Sequence, residues 1–151
     1  MTESRRPRKA IEQGPTAATV AANIRRIRNA RGMSTYELSR RLAKIECPLA
    51  PSALAKVERG ERQVGVDELM TLAVTLGVSP SALLLPPTDD PGTKVSVTGA
   101  GAVPADEAWD WVDGRRSLDQ PCSDLGTAAL EFALYSRPPI RRNREIGRGH
   151  E

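Results

Sequence analysis

The sequence predicts an all-α fold, with a compact five-helix domain followed by a small helical extension. Apolar residues recur at helical spacing in five consecutive segments between residues 17 and 87. Aromatic residues make up only 3% of the chain, so we expect a core of aliphatic side chains. Glycine and proline stand between the segments, where they end or begin helices.

The first helix is predicted from about Thr16 to Arg31. Val20, Ile24 and Ile27 follow the i, i+4, i+7 spacing of one helix face. Gly32 is expected to end the helix, because glycine adopts the left-handed conformation at little steric cost.

The second helix is predicted to begin with a capping box. In this motif the Ser34 hydroxyl accepts a hydrogen bond from the N–H of Glu37, whose side chain reaches back to Ser34. We expect Leu38, Leu42 and Ile45 to form the buried face of this helix.

The third helix is predicted to begin at Pro51, where the missing N–H costs nothing. Pro48 prevents the second helix from continuing into it. Leu54 and Val57 point to the core at i, i+3, and Gly60 closes the helix.

The fourth and fifth helices are predicted from their caps. Asp67 is expected to be the N-cap of the fourth helix, which ends at Gly77. Ser79 caps the fifth helix, Pro80 lies in its first turn and Pro86 follows its end.

Composition divides the chain into five predicted parts. In chain order these are a disordered basic arm (1–16), a five-helix domain (17–87), a linker (88–105), a small helical extension (106–136) and a basic disordered tail (137–151). The arm is equally compatible with a solvated tail and with a segment that contacts DNA. Lys94–Thr98 alternates in polarity and could form one short strand.

The net charge of +3 hides a strong asymmetry along the chain. Residues 17–60 hold nine basic and three acidic side chains, whereas residues 88–136 hold three basic and nine acidic ones. A positive field over the predicted short helices is expected of a nucleic-acid-binding surface, although a solvated charged face would also be rich in arginine.

Several classes of protein are disfavoured. Cys47 and Cys122 have no cysteine or histidine at ligand spacing, and His150 is the only histidine, so we expect no zinc site and no cofactor. The chain contains no apolar run of membrane-spanning length and no apolar signal segment at its N-terminus. We therefore expect a soluble protein of a reducing compartment.

Three stretches carry a resemblance to a known family. They are Asn23–Ser39, Leu54–Arg62 and Leu72–Ser79. In this order and spacing they resemble the Cro/C1-type (XRE-like) helix-turn-helix family of bacterial regulators, over roughly residues 17–87. The resemblance implies a lambda repressor-like domain in the cytoplasm, associated with the nucleoid. Its third helix, at about 51–59, would enter the major groove of double-stranded DNA.

The resemblance also implies an internal ion pair between Arg28 in the first helix and Glu58 in the third. A charge beside apolar residues needs such a partner if it is buried, whereas an exposed pair would contribute little. One feature departs from the family: the connection from Leu42 to Leu54 is longer than the usual tight turn. It leaves open the angle at which the third helix meets DNA.

Three residues of the third helix are candidates for contacts with base edges. Ser52 can donate or accept a hydrogen bond, Ala53 can pack on a thymine methyl group, and Lys56 can donate to guanine. As alternatives, Ser52 could act as a local cap and Lys56 could be a solvated charge.

Candidate phosphate contacts lie at the edges of the same unit. Thr35 stands at the start of the second helix, where free N–H groups favour anions, and Arg59 and Arg62 follow the third helix. Arg62 could equally be a solvated charge.

Two functions compete at this point. The first is a sequence-specific transcriptional regulator that binds an inverted repeat as a homodimer. The second is a protein-interaction module, such as an antitoxin or adaptor, whose partner binds near Trp109 and Trp111; those residues could also fill a small core. No catalytic constellation is apparent, so we do not expect an enzyme.

Overall fold

The computed structural model describes residues 12–118 and 126–146. In chain order the elements are α1 (Pro15–Ala30), α2 (Thr35–Ala43), α3 (Pro51–Glu58), α4 (Val66–Leu76), α5 (Pro80–Leu84), β1 (Lys94–Val97), β2 (Gly101–Pro104), α6 (Ala105–Val112), α7 (Thr127–Ser136) and α8 (Pro139–Ile146). Most of the predicted N-terminal arm, the last residues of the predicted tail, and Cys122 and His150 lie outside the described residues.

The first five helices enclose one aliphatic core. Ile24 of α1, Leu38 of α2, Leu54 of α3, Leu72 of α4 and Leu83 of α5 are fully buried in it. The predicted apolar faces of these helices therefore pack against one another, as the 3.6-residue periodicity requires. The left-handed conformation of Gly32 after α1 and the cap of α5 by Ser79 are also confirmed.

The prediction for the end of the second helix was wrong. α2 ends at Ala43, and Glu46 adopts the left-handed region with φ 61°. Ile45 therefore lies on a turn rather than on the helix face, and its side chain is 42% exposed instead of buried.

The start of α4 also differs from the prediction. The N-cap is Gly65 rather than Asp67, which lies inside the first turn. The Glu68 carboxylate accepts a hydrogen bond of 3.0 Å from the N–H of Gly65. A carboxylate three residues into the helix thus satisfies the backbone donor that precedes it.

A two-stranded antiparallel sheet corrects the all-α prediction. β1 pairs with β2 in the register Val95↔Val103 and Val97↔Gly101, within the segment predicted to be a linker. Val95 and Val97 are buried while their neighbours are exposed, so the alternation noted at Lys94–Thr98 does form a strand. The protein is mostly helical with a small hairpin.

The hairpin and α6 build a second, smaller core on the end of α5. Leu85, Val95, Val97, Ala105 and Ala108 are its buried members. Trp109 packs against this core.

Two pairs of hydrogen bonds attach this unit to the start of α1 and to the segment that follows α5. The N–H of Thr16 donates to Thr98 Oγ1 at 3.2 Å, and the N–H of Thr98 donates to Thr16 Oγ1 at 3.0 Å. The indole N–H of Trp109 donates to the carbonyls of Pro86 and Thr88 at 3.2 and 2.9 Å. Trp109 therefore fills a satellite core and anchors α6.

The C-terminal part is more helical than predicted. α8 occupies Pro139–Ile146, inside the segment expected to be a disordered tail. α7 has no buried residue and exposes Leu130, Leu134 and Tyr135. The division of the chain into domains stays a prediction.

Candidate DNA-binding surface

One face of α3 is buried and the opposite face is polar and open to solvent. Leu54 and Val57 point into the main core. Ser52, Lys56 and Arg59 stand at i, i+4 and i+7 and are all exposed, so they form one continuous stripe along the helix. A helix with this outer face can enter the major groove of B-DNA.

Ala53 lies at the edge of that stripe. It is only partly exposed, and its side chain packs against the main core. The structure therefore separates the three predicted base-contacting residues, with Ser52 and Lys56 on the open face and Ala53 turned partly inward.

The long connection between α2 and α3 is fastened to α2. Residues 44–50 separate the two helices, and Leu49 within this stretch is buried in the core. The Ser39 hydroxyl donates a hydrogen bond of 2.5 Å to the Leu49 carbonyl. This contact fixes the chain just before Pro51, where α3 begins. Sequence reasoning missed Ser39, because a serine inside a helix carries no signal of a distant partner.

Arg28 and Glu58 connect α1 to α3. Arg28 Nε and Nη2 donate to the two carboxylate oxygens of Glu58 at 2.6 and 2.8 Å, and the side chains are only 12% and 8% exposed. Arg28 Nη1 also donates to the Met33 carbonyl at 2.6 Å. Donation to the Glu58 carboxylate raises the pKa of Arg28 further, so the guanidinium holds α1, α3 and the start of α2 together as a permanent charge.

Arg59 is paired with an acidic neighbour. Its Nε and Nη2 donate to Glu61 at 3.0 and 3.1 Å, and the two side chains are 53% and 54% exposed. The hydrogen bond from Arg59 lowers the pKa of Glu61, and the nearby charge of Lys56 lowers it further. Glu61 therefore lies within electrostatic reach of two residues predicted to contact DNA.

Arg62 forms a less exposed ion pair than Arg59 does. Its Nη1 and Nη2 donate to the carboxylate of Glu68 at 3.0 and 2.7 Å. The same carboxylate caps α4 through Gly65. The pKa of Glu68 is lowered chiefly by the hydrogen bond from Arg62. Arg62 thus helps to fix the loop between α3 and α4.

The first turn of α2 contains Thr35, the remaining residue predicted to contact phosphate. Thr35 is partly exposed at the helix start, and Ser34 Oγ accepts a hydrogen bond of 3.1 Å from the N–H of Glu37. The Glu37 carboxylate accepts hydrogen bonds from Arg40 and Arg41, rather than reaching back to Ser34 as the predicted capping box requires. Tyr36 is 73% exposed and was not among the residues predicted from the sequence to contact DNA.

Comparison with known families identifies the central segment. The model of the helix-turn-helix family matches residues 24–83, which span α1 from Ile24 onward through most of α5. The resemblance to the Cro/C1-type family is thereby confirmed for this segment. This match supports DNA binding and transcription regulation for residues 24–83.

One solved structure with a similar chain is the crystal structure of a hypothetical transcription factor, NHTF, from Neisseria. The two sequences are 29% identical, with 52% of this chain and 90% of that chain covered, and the TM-score is 0.43. The curated proteins include no significant match. In the described part of the chain, no helix is long and apolar enough to cross a membrane.

Proposed function

We propose that the protein is a sequence-specific transcriptional regulator in which α3 reads base edges in the major groove. The observation that carries this proposal is the exposed stripe of Ser52, Lys56 and Arg59. It lies on a helix that is fixed from behind by Arg28 and Glu58. A rigid support of this kind keeps polar side chains positioned for base contacts.

Within this proposal Ser52 and Lys56 contact base edges directly. Lys56 is the strongest candidate, because it is exposed and forms no ion pair within the described residues. A lysine at this position can donate to guanine O6 and N7. Ala53 supplies at most a methyl contact from the edge of the helix.

The three candidate phosphate-contacting residues differ in how strongly each is already bound to another group of the protein. Thr35 lies at the N-terminus of α2, where backbone N–H groups favour phosphate. Arg59 can exchange Glu61 for a phosphate at small cost, because exposed ion pairs contribute little. Arg62 would have to leave the less exposed Glu68, so it is the weakest of the three candidates for a phosphate contact.

We further propose that two copies bind an inverted repeat. A single short recognition helix contacts few base pairs, and a dimer gains affinity by placing two such helices about one helical turn apart. A regulator of this type acts on the chromosome, which would place it in the cytoplasm with the nucleoid.

Selection of bound duplexes from a random DNA library tests this function. The regulator should enrich one inverted repeat, and Lys56→Ala should alter the selected bases at one position in each half-site. Lys94→Ala, an exposed lysine on β1, is the matched control and should select the original motif. Enrichment of no motif by the native protein would contradict the proposal.

A second candidate function is a protein-interaction module, such as an antitoxin or adaptor. The exposed Leu130, Leu134 and Tyr135 of α7 favour it, because a contiguous patch of exposed apolar side chains is typical of a partner-binding surface. Trp109 is engaged in the small core, so Trp111 and α7 are the surfaces to test. Under this alternative, Leu134→Asp would abolish a specific complex with a partner protein, and Lys94→Asp would not.

A further inference from the structure

α7 has two faces in different surroundings. Phe132 and Ser136, at i and i+4, border a groove together with Trp111 of α6, so this face lies beside the unit formed by the hairpin and α6. Leu130 and Leu134, also at i and i+4, lie on another side of the helix and are 66% and 55% exposed. One face of α7 therefore meets the rest of the protein, and the other is apolar and open to solvent.

The open face of α7 has no cover of its own. None of the ten residues of this helix is buried, and a helix of this length is marginal in water without tertiary packing. Leu130, Leu134 and the exposed Tyr135 form one contiguous surface, which we call the α7 patch. An exposed apolar patch of this kind is typical of a surface that binds another macromolecule.

One acidic and one basic side chain border the α7 patch. Glu131 and Arg142 line the same open groove between α7 and α8. Arg142 is held at the Leu134 end of the patch, because its Nη1 donates to the Leu134 carbonyl at 3.4 Å, whereas Glu131 adjoins Leu130. Neither Glu131 nor Arg142 forms an ion pair within the described residues. The patch thus carries a negative charge near one end and a positive charge near the other.

This distribution of charge is complementary to a second copy of itself. A twofold axis brings the same surface of two copies together. When two α7 helices run antiparallel across such an axis, the Leu130 end of one lies against the Leu134 end of the other. Glu131 of each copy then faces Arg142 of the other, and the apolar side chains between these charges are covered on both copies. Charge complementarity therefore favours a second copy of this chain as the occupant.

We propose that α7 is a dimerisation helix that pairs antiparallel with α7 of a second copy. Leu130 of each copy packs on Leu134 of the other, and Glu131 of each binds Arg142 of the other. The exposed stripe of α3 borders neither groove beside α7, so the pairing leaves both stripes open. Its role rests on the proposed function, because binding to an inverted repeat requires two recognition helices, but the pairing itself forms without DNA.

Sedimentation velocity of the full chain without DNA tests the dimer. The native protein should sediment as a dimer, and Leu134→Asp should weaken dimerisation by about tenfold or more, because it places a charge in an apolar contact. Val74→Asp, at an exposed valine of α4, is the matched control and should leave dimerisation unchanged. A native protein that sediments as a monomer would overturn the proposal, as would a dimer that Leu134→Asp does not weaken.

A charge exchange tests the pairing independently of any effect of Leu134→Asp on the helix itself. Glu131→Arg and Arg142→Glu each place like charges opposite one another, so each variant alone should dimerise about tenfold more weakly than the native protein. In an equimolar mixture of the two variants, both contacts join opposite charges, and a heterodimer of native affinity should form. Mixing would not restore an ion pair that lies within one copy. A mixture without heterodimers would therefore overturn the proposal.

Selection of duplexes from the random library separates this inference from the proposed function. A protein that enriches an inverted repeat but is monomeric without DNA, or dimerises through another surface, contradicts the role of α7 and leaves the regulator intact. A protein that dimerises through α7 and enriches no motif contradicts the regulator and leaves the interface intact.

Discussion

Arg28 of α1 and Glu58 of α3 form a two-pronged ion pair, with hydrogen bonds of 2.6 and 2.8 Å between side chains that are almost buried. Glu58 immediately precedes Arg59, the last residue of the exposed stripe of α3. Because Arg28 also binds the Met33 carbonyl, one guanidinium sets the positions of three successive parts of the domain.

Removal of the carboxylate should therefore destabilise the fold strongly. Glu58→Ala leaves a buried guanidinium without its counter-charge, and we expect a loss of about 3 kcal/mol in the free energy of unfolding. Urea denaturation measures this loss. Glu61→Ala breaks a pair of the same geometry between two half-exposed side chains, so it should cost much less. Equal losses would contradict the structural role of the buried pair.

Asn23 provides a second test of the interior. Its buried amide donates to the carbonyls of Leu83 and Leu85 at 3.1 and 2.7 Å, at the end of α5. Asn23→Ala should cost about 2 kcal/mol of unfolding free energy, because it leaves these carbonyls without their donor.

Asn29→Ala is the matched control for that variant. Asn29 lies on the same helix but is exposed, so both substitutions gain the same helix propensity and only one loses buried hydrogen bonds. If the thermal midpoints of both variants moved together, the proposed role of Asn23 would have to be abandoned.

The hydrogen bond from Ser39 to the Leu49 carbonyl fixes the chain just before α3. We therefore expect its loss to change how α3 is positioned against DNA, and so to change DNA affinity. Ser39→Ala should reduce stability by about 1 kcal/mol, and it should weaken DNA binding beyond that loss because the start of α3 is released. Affinity measured well below the unfolding temperature separates the two effects. Ser96 is an exposed serine on β1, so the control variant Ser96→Ala should change neither stability nor affinity. Unaltered DNA affinity in Ser39→Ala would refute the positioning role of Ser39.

Glu68 predicts a dependence of stability on pH. Its pKa in the folded protein lies below the ordinary value of a glutamate, chiefly through the hydrogen bond from Arg62. The unfolded chain therefore binds more protons at acidic pH, and the contribution of Glu68 is present above about pH 5 and lost as the pH falls through the folded pKa. Glu68→Gln should lower the thermal midpoint more at pH 7 than under strongly acidic conditions, where the native carboxylate becomes protonated as well. An equal loss under both conditions would exclude a charged contribution.

Much of the helical domain could be predicted because its signals are local. The periodicity of Val20, Ile24 and Ile27 and the cap at Ser79 depend on residues a few positions apart, and the structure places them as predicted. Ile45 was misplaced because the left-handed turn at Glu46 depends on how the following connection packs, which helical periodicity cannot anticipate.

The hairpin and the ion pairs of the arginines were missed for a similar reason, because both depend on how segments of the chain fold against one another. Val103 is the only branched residue of β2, beside glycine, alanine and proline, so only its pairing with β1 reveals the strand. The stripe on α3 was largely visible as a pattern, whereas the partners of Arg59 and Arg62 were not. A charge run shows that arginines are present, but only the fold shows which carboxylates they face.

The most direct test of the account compares DNA binding by Lys56→Ala and Arg59→Ala on the selected duplex, across a range of salt concentrations. Lys56→Ala should weaken binding by about 1–3 kcal/mol and relax the preference at one base pair in each half-site. Arg59→Ala should weaken binding to all sequences alike and reduce the slope of log affinity against log salt by about one. Native affinity and native sequence preference in Lys56→Ala would contradict the claim that the open face of α3 reads DNA.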